Sequence, residues 1–403
     1  MKRPPLPVIH YSIALSVVTL GDSLLYAILP SYYPHLGLAP FQVGILLSIN
    51  RWVRLSTNHL AEYCYRRYPS DLWVVFAFLT GSIVTAAYGL SDLFIVLLAA
   101  RILWGISFSF LRQAGIMTAV NAGEQERIGE RIGYYHGINS SVRTVGIFLG
   151  GLCHDIAGFA ATLIGAGILS LVTLPLGYLS QRGIHAFAPV HPAGVAAESG
   201  SGTGDRMGRF RLIACGFVMG VVGAGMIISS LGLVLKTRIG NSFEILGYPA
   251  GIATLTSFIL GLRWFIDAMG SPLLGAATDR IGRQETARLL FPFNAVMLLA
   301  ISMVESIFPL LLLLFMYFIC ATALGTLLSA QAGQNGTRSV ASFATATDLG
   351  ASLGPLIAWG ILELGLPAAN IFRVAAMLYG AGSIFALRAV DSARAGVPPQ
   401  AAF

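Results

Sequence analysis

Charged residues are scarce in this sequence. They make up 11% of its 403 residues, whereas hydrophobic residues make up 56%. A typical soluble domain carries about 25% charged residues, so this composition excludes an ordinary soluble protein. The mean hydropathy of +0.75 leads to the same conclusion. We therefore expect an integral membrane protein.

Lysine is nearly absent. The 25 basic residues include only Lys2 and Lys236, and the sequence contains no long basic run with interleaved aromatic residues. Such runs are typical of nucleic-acid-binding proteins, so we expect no nucleic-acid partner. The net charge of +7 is instead interpreted through membrane topology.

Motifs for metals, disulfides and catalysis are also missing. The four cysteines show neither CxxC nor Cys/His spacing, which predicts no metal site, no disulfide framework and no cofactor. An enzyme would need clustered His, Asp and Glu, or a nucleophile with a base. Only His154 and Asp155 adjoin, in a predicted outer loop, and no third member is evident. We therefore do not expect an enzyme.

Long apolar runs are what the sequence has in abundance. A helix needs about 20 mostly apolar residues to cross the ~30 Å hydrocarbon core, and continuous runs without alternation indicate helices. The first run shows no cleavage site and is interpreted as an uncleaved span. The twelve runs cover approximately residues 9–33, 41–61, 72–90, 93–118, 132–154, 160–180, 212–235, 249–273, 288–305, 308–330, 340–363 and 369–388.

A segment rich in Gly, Ala, Ser and Pro divides these runs six and six. It predicts a cytoplasmic linker over 181–211 between an N-terminal half, 1–180, and a C-terminal half, 212–403. The two halves are similar in sequence, since "NHLAEYCYRR" (58–67) corresponds to "GAATDRIGRQ" (275–284). The predicted fold class is all-α integral membrane, with twelve transmembrane helices in two pseudo-symmetric six-helix halves.

Basic residues in the predicted loops are strongly asymmetric. If the N-terminus lies inside, the outer loops hold only Lys236 and Arg238, with Arg373 near an outer helix end, and the other loop arginines lie inside. Basic residues collect on the cytoplasmic side of membranes. We therefore expect both termini to be cytoplasmic, in a multi-pass protein of the bacterial inner membrane.

Charged residues within the predicted spans are the candidate functional residues. A charge at mid-bilayer costs at least about 2.5 kcal/mol, so such residues normally face a cavity or a partner. Six arginines stand against three aspartates, and arginine can hold a carboxylate or phosphate through two hydrogen bonds. This excess predicts an anionic solute. The set comprises Asp22, Arg51, Arg54, Arg101, Arg112, Arg143, Arg263, Asp267 and Asp348.

Other interpretations of these charges remain open. The arginines could form structural salt bridges between the halves, and Arg112 could extend its charge to the headgroups. Asp22 could exchange a proton or contact solute, or it could form a permanent ion pair with Arg101 or Arg51. Asp267 carries similar alternatives, and Asp348, nearer the inner end of its span, is interpreted as structural.

Glycines with GxxxG spacing occur in spans five and eleven. Gly146 and Gly150 form one pair, Gly350 and Gly354 the other, and Pro355 follows the second. This spacing lets helices approach closely, so ordinary helix packing is the first interpretation and a hinge the second. Pro355 is expected to bend its span.

The loop after span eight resembles the loop signature of the major facilitator superfamily, and the likeness covers essentially the whole chain. The resemblance implies that this loop latches an inner gate, with its carboxylate docking on a helix end and its arginines on acidic partners. In the first-half copy Glu62 keeps the charge, but Asn58 and Tyr65 replace the glycines. The matching residues are Gly275, Asp279, Arg280, Gly282 and Arg283.

Two further stretches are similar to motifs of the same family. In "RILWGISFS", Arg101 and Gly105 match an arginine motif that is associated with proton coupling in proton-driven members. Gly137, Gly146 and Gly150 keep the spacing of the antiporter signature, although Gly151 stands where proline is expected. The stretch "GDSLLYAILPSYY" looks like the first span of drug and siderophore exporters.

The resemblance and the charges together predict a proton-coupled secondary transporter that works by alternating access. We expect it to be an exporter, by antiport, of a small amphipathic organic anion such as a siderophore or drug-like compound. Asp22 would cycle the proton, while Arg51, Arg101 and Arg143 would hold the anion or reset Asp22. Arg54, Arg263 and Asp267 complete the candidate site. The expected partners are solute, protons and lipid, and the resemblance implies a monomer.

Alternative functions also remain. An importer of organic anions would have the same architecture, because transport direction depends on gradients and affinities. A membrane receptor or sensor on this fold would need a long soluble extension, and the longest loop is only the low-complexity linker.

Overall fold

The computed structural model describes residues 4–122, 127–181, 203–245 and 248–394. Helices dominate these residues. Two π-helical segments, Gly220–Ile227 and Ile266–Gly270, join helices end to end. The α-helices are α1 (Leu6–Val18), α2 (Leu20–Tyr32), α3 (Pro40–Arg67), α4 (Ser70–Leu90), α5 (Phe94–Asn121), α6 (Ile128–Leu179), α7 (Thr203–Met219), α8 (Ile228–Ile239), α9 (Ile252–Phe265), α10 (Ser271–Ile281), α11 (Arg283–Met303), α12 (Ile307–Gln334), α13 (Thr337–Glu363) and α14 (Ala369–Arg394).

The twelve predicted spans are present among these helices. Eight described segments are long and apolar enough to cross a membrane by length and composition, and one of them, Glu130–Leu179, holds two predicted spans. Within it Gly158 adopts φ +84, a conformation that favours glycine and separates spans five and six. The remaining spans are α3 and α13, which are more polar, and α14, whose apolar part is shorter.

Local sequence sets the helix ends. Pro40 occupies the first turn of α3, where a missing N–H costs nothing, and the Gln42 side chain accepts a hydrogen bond from the Ala39 N–H at 2.9 Å. The same helix ends at Tyr68, whose extended backbone precedes Pro69. The helix therefore begins one residue before the predicted span, 41–61, and ends six residues after it.

A small antiparallel β-ribbon that was not predicted accompanies the helices. Strands β1 (Ser242–Ile245) and β2 (Tyr248–Gly251) pair with Ser242 opposite Gly251. The ribbon connects α8 to α9. Such short strands lack the periodic pattern that reveals longer ones, so the ribbon could not be predicted from the sequence.

Close packing divides the chain into two compact units. Unit 1 comprises Met1–His191 and Ser229–Ala268. In it α1 and α4 pack along α6, α3 packs against α5, and α9 packs against α6. Segment Ser229–Ala268, expected in the second half, therefore packs with helices of the first half. The two halves remain a prediction about the sequence repeat, because a repeat and a packing unit need not coincide.

Unit 2 comprises Pro192–Ile228 and Met269–Phe403. Its helix α13 packs against α7 and the π-helical segment Gly220–Ile227, and α11 packs against α14. Helix α7 begins at Thr203, so the end of the predicted linker is helical rather than flexible. Most of that linker, 182–202, lies outside the described residues.

Candidate functional site

An ion pair between Asp22 on α2 and Arg101 on α5 forms the centre of the candidate site in unit 1. The Arg101 side chain is only 1% exposed and its Nη1 contacts Asp22 Oδ1. Arg101 Nε also donates a hydrogen bond to the Leu46 carbonyl oxygen at 2.7 Å. Asn50 Nδ2 donates to Asp22 Oδ1 at 3.3 Å. Three helices thus converge on one carboxylate and one guanidinium.

Gly105 explains how Arg101 reaches this position. A Cβ at residue 105 would lie 2.8 Å from the Asn50 carbonyl oxygen and 3.1 Å from Val53 Cβ. Only glycine lets α5 approach α3 this closely. Arg101 is one helical turn earlier on α5, so the same approach brings its guanidinium to Leu46.

The surroundings of the pair are mostly apolar. Leu29, Leu97 and Phe159 line a small recess together with Tyr88 and Arg101. Because a low local dielectric strengthens attraction between opposite charges, this environment favours the paired state. Asp22 itself keeps 25% of its side chain exposed, so the carboxylate is less enclosed than the guanidinium of Arg101.

Tyr26 links a second arginine to this group. The guanidinium carbons of Arg51 and Arg101 each lie 5.6 Å from the centroid of its ring, a cation–π distance. The Tyr26 hydroxyl donates to the Leu47 carbonyl oxygen at 2.6 Å, which holds the ring in place. Arg54, one turn further along α3, lies 5.0 Å from the Phe108 ring. The structure thus brings Asp22, Arg51 and Arg101 together and directs Arg54 to a different ring.

A second cluster of predicted residues lies at the contact of α6 with α9. The guanidinium carbon of Arg143 is 4.3 Å from the Trp264 ring centroid. Arg263 Nη2 lies 3.9 Å from Asp267 Oδ2, at the start of a π-helical segment. Asp22, Arg263 and Asp267 are all near enough to act electrostatically on Arg143. Insertions of π-helix are frequent at functional sites.

The predicted arginines differ in whether a carboxylate lies within ion-pairing distance. Arg101 has a carboxylate partner, as one of the two interpretations of Asp22 required. Arg263 faces Asp267 at a longer distance. Arg143 has no carboxylate within 4.0 Å among the residues that the structure describes. Of these three arginines, Arg143 is the one without a directly paired carboxylate in the described part of the chain.

The gate loop of the second half contains a glycine-dependent turn. Helix α10 ends at Ile281 and Gly282 adopts φ +103, a conformation that other residues rarely adopt. Asp279 and Arg280 are exposed on the last turn of α10. A Cβ at Gly275 would contact Thr326 of α12 at 3.2 Å. The side chain of Arg283 lies outside the described part of the chain.

The first-half copy of this loop is built differently. Helix α3 continues to Arg67, and the Tyr65 hydroxyl donates to the Phe110 carbonyl oxygen at 3.0 Å. Glu62 forms an exposed ion pair with Arg66 at 2.5 Å, one turn away on the same helix. Tyr65 in place of glycine therefore accompanies a continuous helix rather than a tight turn.

The predicted glycine pairs lie at close helix contacts. Gly146 and Gly150 face the Leu20 and Leu24 side chains of α2 within unit 1. In unit 2, Gly350 and Gly354 face backbone atoms of Phe217, Val221 and Gly225. Pro355 lies inside α13.

Sequence reasoning missed a contact made by Asp155. Asp155 Oδ2 accepts hydrogen bonds from the Thr254 N–H at 2.9 Å and the Thr254 hydroxyl at 2.5 Å. Thr254 lies in the first turn of α9, so Asp155 acts as an N-terminal cap supplied by another helix. The sequence showed a carboxylate beside His154 in a predicted loop, but a cap between distant segments has no local signature.

Comparisons with known proteins add independent observations. The family model described as Major Facilitator Superfamily matches residues 11–355. A comparison with curated proteins finds no match. A solved bacterial homologue of the human lysosomal transporter Spinster is similar over 97% of each chain, with 12% identity and a TM-score of 0.72.

Two other solved structures show the same degree of likeness. A POT peptide transporter in complex with alafosfalin covers 97% of this chain and 95% of its own, with 12% identity and a TM-score of 0.76. The nucleoside transporter NupG covers 96% and 99%, with 11% identity and a TM-score of 0.72. At such identities the likeness shows the fold alone.

Proposed function

The chain belongs to the major facilitator superfamily, and from this premise we propose that it is a proton-coupled secondary transporter that exports a small amphipathic organic anion. Siderophores and drug-like carboxylates fit this description. The observation that carries the proposal is the Asp22–Arg101 pair, in which a partly exposed carboxylate contacts a guanidinium that is almost completely buried. We propose that the protein is located in a bacterial inner membrane, with both termini in the cytoplasm.

The pair supplies a way to couple protons to solute. Protonation of Asp22 removes the negative charge that Arg101 faces, and a buried charge without a partner is strongly unfavourable. The protein then gains stability either by a change in helix packing or by an anion that approaches the arginines. Deprotonation restores the original pair. Proton uptake at Asp22 thereby favours anion binding, and proton loss restores the Asp22–Arg101 pair and favours anion release.

Arg51 extends the positive surface beside the pair. Arg51 and Arg101 both contact the Tyr26 ring, so we expect a movement of Arg101 to alter the position of Arg51 through this ring. Arg143 and Arg263 provide further positive charge at the contact of α6 with α9. In this proposal Asp22 carries the proton, and these arginines attract the anion.

Proton flux in proteoliposomes tests the coupling. A gradient of 2,3-dihydroxybenzoate or norfloxacin, two carboxylate-bearing compounds, is imposed and the internal pH is followed with a trapped dye. Solute-driven proton flux is expected in the unmodified protein and should vanish in Asp22→Asn. Asp92→Asn, which changes an exposed carboxylate in the loop between α4 and α5, is the matched control. Undiminished flux in Asp22→Asn would exclude the proposed role.

The direction of transport needs a separate measurement. A strain that lacks the protein is expected to accumulate more of an exported compound than the parent strain, and expression of the protein should reverse the effect. Lower accumulation in the deletion strain would identify an importer on the same fold.

A further inference from the structure

Arg143 carries a charge with no directly paired carboxylate in the part of unit 1 that the structure describes. Within the described residues it has no carboxylate at ion-pairing distance and donates no hydrogen bond, and its Nε atom is buried without an acceptor. The nearby carboxylates are engaged elsewhere, Asp22 with Arg101 and Asp267 near Arg263. A charge inside a membrane span normally has a partner, so a ligand is the candidate partner here.

The contact with Trp264 indicates where that ligand would bind. The guanidinium carbon of Arg143 lies 4.3 Å from the centroid of the indole ring, and a guanidinium keeps its N–H donors in its own plane, where an anion can meet them. A carboxylate matches these donors through two parallel hydrogen bonds. The Arg143 side chain as a whole is partly exposed, although its Nε atom is buried. A bound carboxylate would therefore lie beside the indole.

We propose that Arg143 and Trp264 form the anchor for a planar aromatic monocarboxylate, with the guanidinium holding the carboxylate and the indole contacting the ring. One unneutralised guanidinium matches one negative charge, because Arg263 already faces Asp267. The aromatic preference follows from the indole, since flat rings pack on aromatic faces and edges better than saturated rings do. This inference rests on the proposed function, because it names the solute class of the same transporter.

Binding to the purified full-length protein tests the anchor with three matched probes. The probe 2-naphthoate is aromatic and anionic, 2-naphthamide has the same shape without charge, and decalin-2-carboxylate has the charge without aromaticity. Calorimetry is expected to show binding of 2-naphthoate and at least about tenfold weaker binding of 2-naphthamide, since hydrogen bonds to charged groups are worth about 1.5–3 kcal/mol. Decalin-2-carboxylate should bind severalfold more weakly than 2-naphthoate. Equal affinity for all three probes, or no binding of 2-naphthoate, would overturn the assignment.

Variants assign the binding to these two residues. Arg143→Lys, which keeps the charge but loses the planar fork, and Arg143→Gln should each weaken 2-naphthoate binding about tenfold or more. Trp264→Leu should reduce the preference for 2-naphthoate over decalin-2-carboxylate. Arg67→Gln, which removes an exposed arginine at the C-terminal end of α3, is the control and should bind as the parent protein does. Unchanged affinity in Arg143→Gln contradicts the proposal.

This binding test is independent of proton coupling. Binding in detergent needs no gradient, so an anchor that fails leaves the flux of the Asp22 experiment unaffected. Conversely, if 2-naphthoate binds as expected but no solute-driven proton flux is observed, the aromatic carboxylate site is supported and the coupled transport mechanism is rejected. The two failures are therefore distinguishable.

A separate observation concerns the end of unit 1 where the β-ribbon lies. Asp155 caps α9 through Thr254, and its carboxylate occupies the space that a side chain at Gly251 would need. Lys236 Nζ of α8 donates to the Ser31 carbonyl oxygen of α2 at 2.7 Å. Both contacts join Ser229–Ala268, which follows the linker, to helices that precede it.

We infer that the Asp155 cap is a conformational latch that stabilises the state in which Ser229–Ala268 packs on the N-terminal helices. In alternating access, groups of helices must separate on one side of the membrane while they close on the other. A cap between such groups stabilises only the closed arrangement, and the negative charge of Asp155 also complements the positive end of the α9 dipole. Its loss therefore favours the open arrangement.

Distances between spin labels test the latch. Labels at Ile156→Cys and Asn241→Cys, both exposed positions in unit 1, report on the separation of these segments in a background without other cysteines. In Asp155→Ala the ratio of the longer to the shorter distance population should rise about 5- to 10-fold, since an N-cap is worth roughly 1 kcal/mol. Asp155→Asn, which retains a capping oxygen but no charge, should have a smaller effect.

Further variants test whether a shift in the distance populations comes from the Asp155–Thr254 contact itself. Thr254→Val should produce the shift from the other side of the contact, and Asp92→Ala, the removal of an exposed carboxylate elsewhere, should not. If Asp155→Ala does not yield folded protein, Asp155→Asn and Thr254→Val decide the outcome. Unchanged distance distributions in the folded variants would overturn the latch.

Discussion

Arg101 and Arg143 both lie in membrane-spanning helices of unit 1, yet their environments differ. Arg101 is 1% exposed, pairs with Asp22 and donates to the Leu46 carbonyl oxygen. Arg143 is partly exposed and lies at cation–π distance from Trp264, with no carboxylate within 4.0 Å among the described residues. The difference shows that counting charges does not assign their roles. A guanidinium paired with a carboxylate stabilises the helices around it, whereas we propose that one without such a partner keeps its donors for a ligand.

The largest effect is expected from breaking the neutralised pair. Arg101→Leu leaves the Asp22 carboxylate without its cation and should lower the free energy of unfolding by about 3 kcal/mol or more. Titration with SDS in mixed micelles measures this quantity. The double variant Asp22→Asn/Arg101→Leu should recover part of the loss, because it leaves no unpaired charge. A loss below about 1 kcal/mol in Arg101→Leu would mean that the pair is not structurally important.

A methyl group at Gly105 should disturb the Arg101 environment alone. Gly105→Ala places a Cβ 2.8 Å from the Asn50 carbonyl oxygen, so α5 and α3 must separate, at an expected cost of about 1–3 kcal/mol in the free energy of unfolding. Gly133→Ala on α6 is the matched control, because no atom lies within 4 Å of its added Cβ. Equal stability of the two variants in the SDS titration would argue against close approach at Gly105.

The smallest effect on stability is expected at Arg143. Arg143→Leu removes a charge that has no carboxylate partner and forfeits a cation–π contact worth about 0.5–1 kcal/mol, so the free energy of unfolding should change by about 1 kcal/mol or less. The same variant should nevertheless lose binding of 2-naphthoate. A loss of stability as large as that of Arg101→Leu would assign Arg143 a structural role and remove the contrast between the two sites.

Several features of the candidate site were predictable from the sequence. Asp22 was expected to pair with Arg101 or Arg51 or to exchange protons, and it lies against Arg101 with Arg51 on the neighbouring Tyr26 ring. Gly105, one turn after Arg101, was identified through a family motif, and the structure places it at the crossing with α3. Such residues are predictable because an ionisable side chain in an apolar run is costly and therefore conspicuous.

Other features were not predictable for a definite reason. The Asp155 cap joins residues 99 positions apart, and the contact of Arg143 with Trp264 depends on how α6 packs on α9. Hydropathy and spacing report on one helix at a time and carry no information about which helix lies beside it. The assignment of Ser229–Ala268 to unit 1 was missed for the same reason.

The sequence by itself determined that this protein lies in a membrane, that twelve helical spans cross it, and that a small set of charged residues lies within those spans. These conclusions depend on local hydrophobicity, which the linear chain displays directly. The tertiary structure alone decided which guanidinium is neutralised by a carboxylate and which rests on an indole. That choice depends on the approach of helices distant in the chain, where a glycine or a single ring sets the distance between side chains.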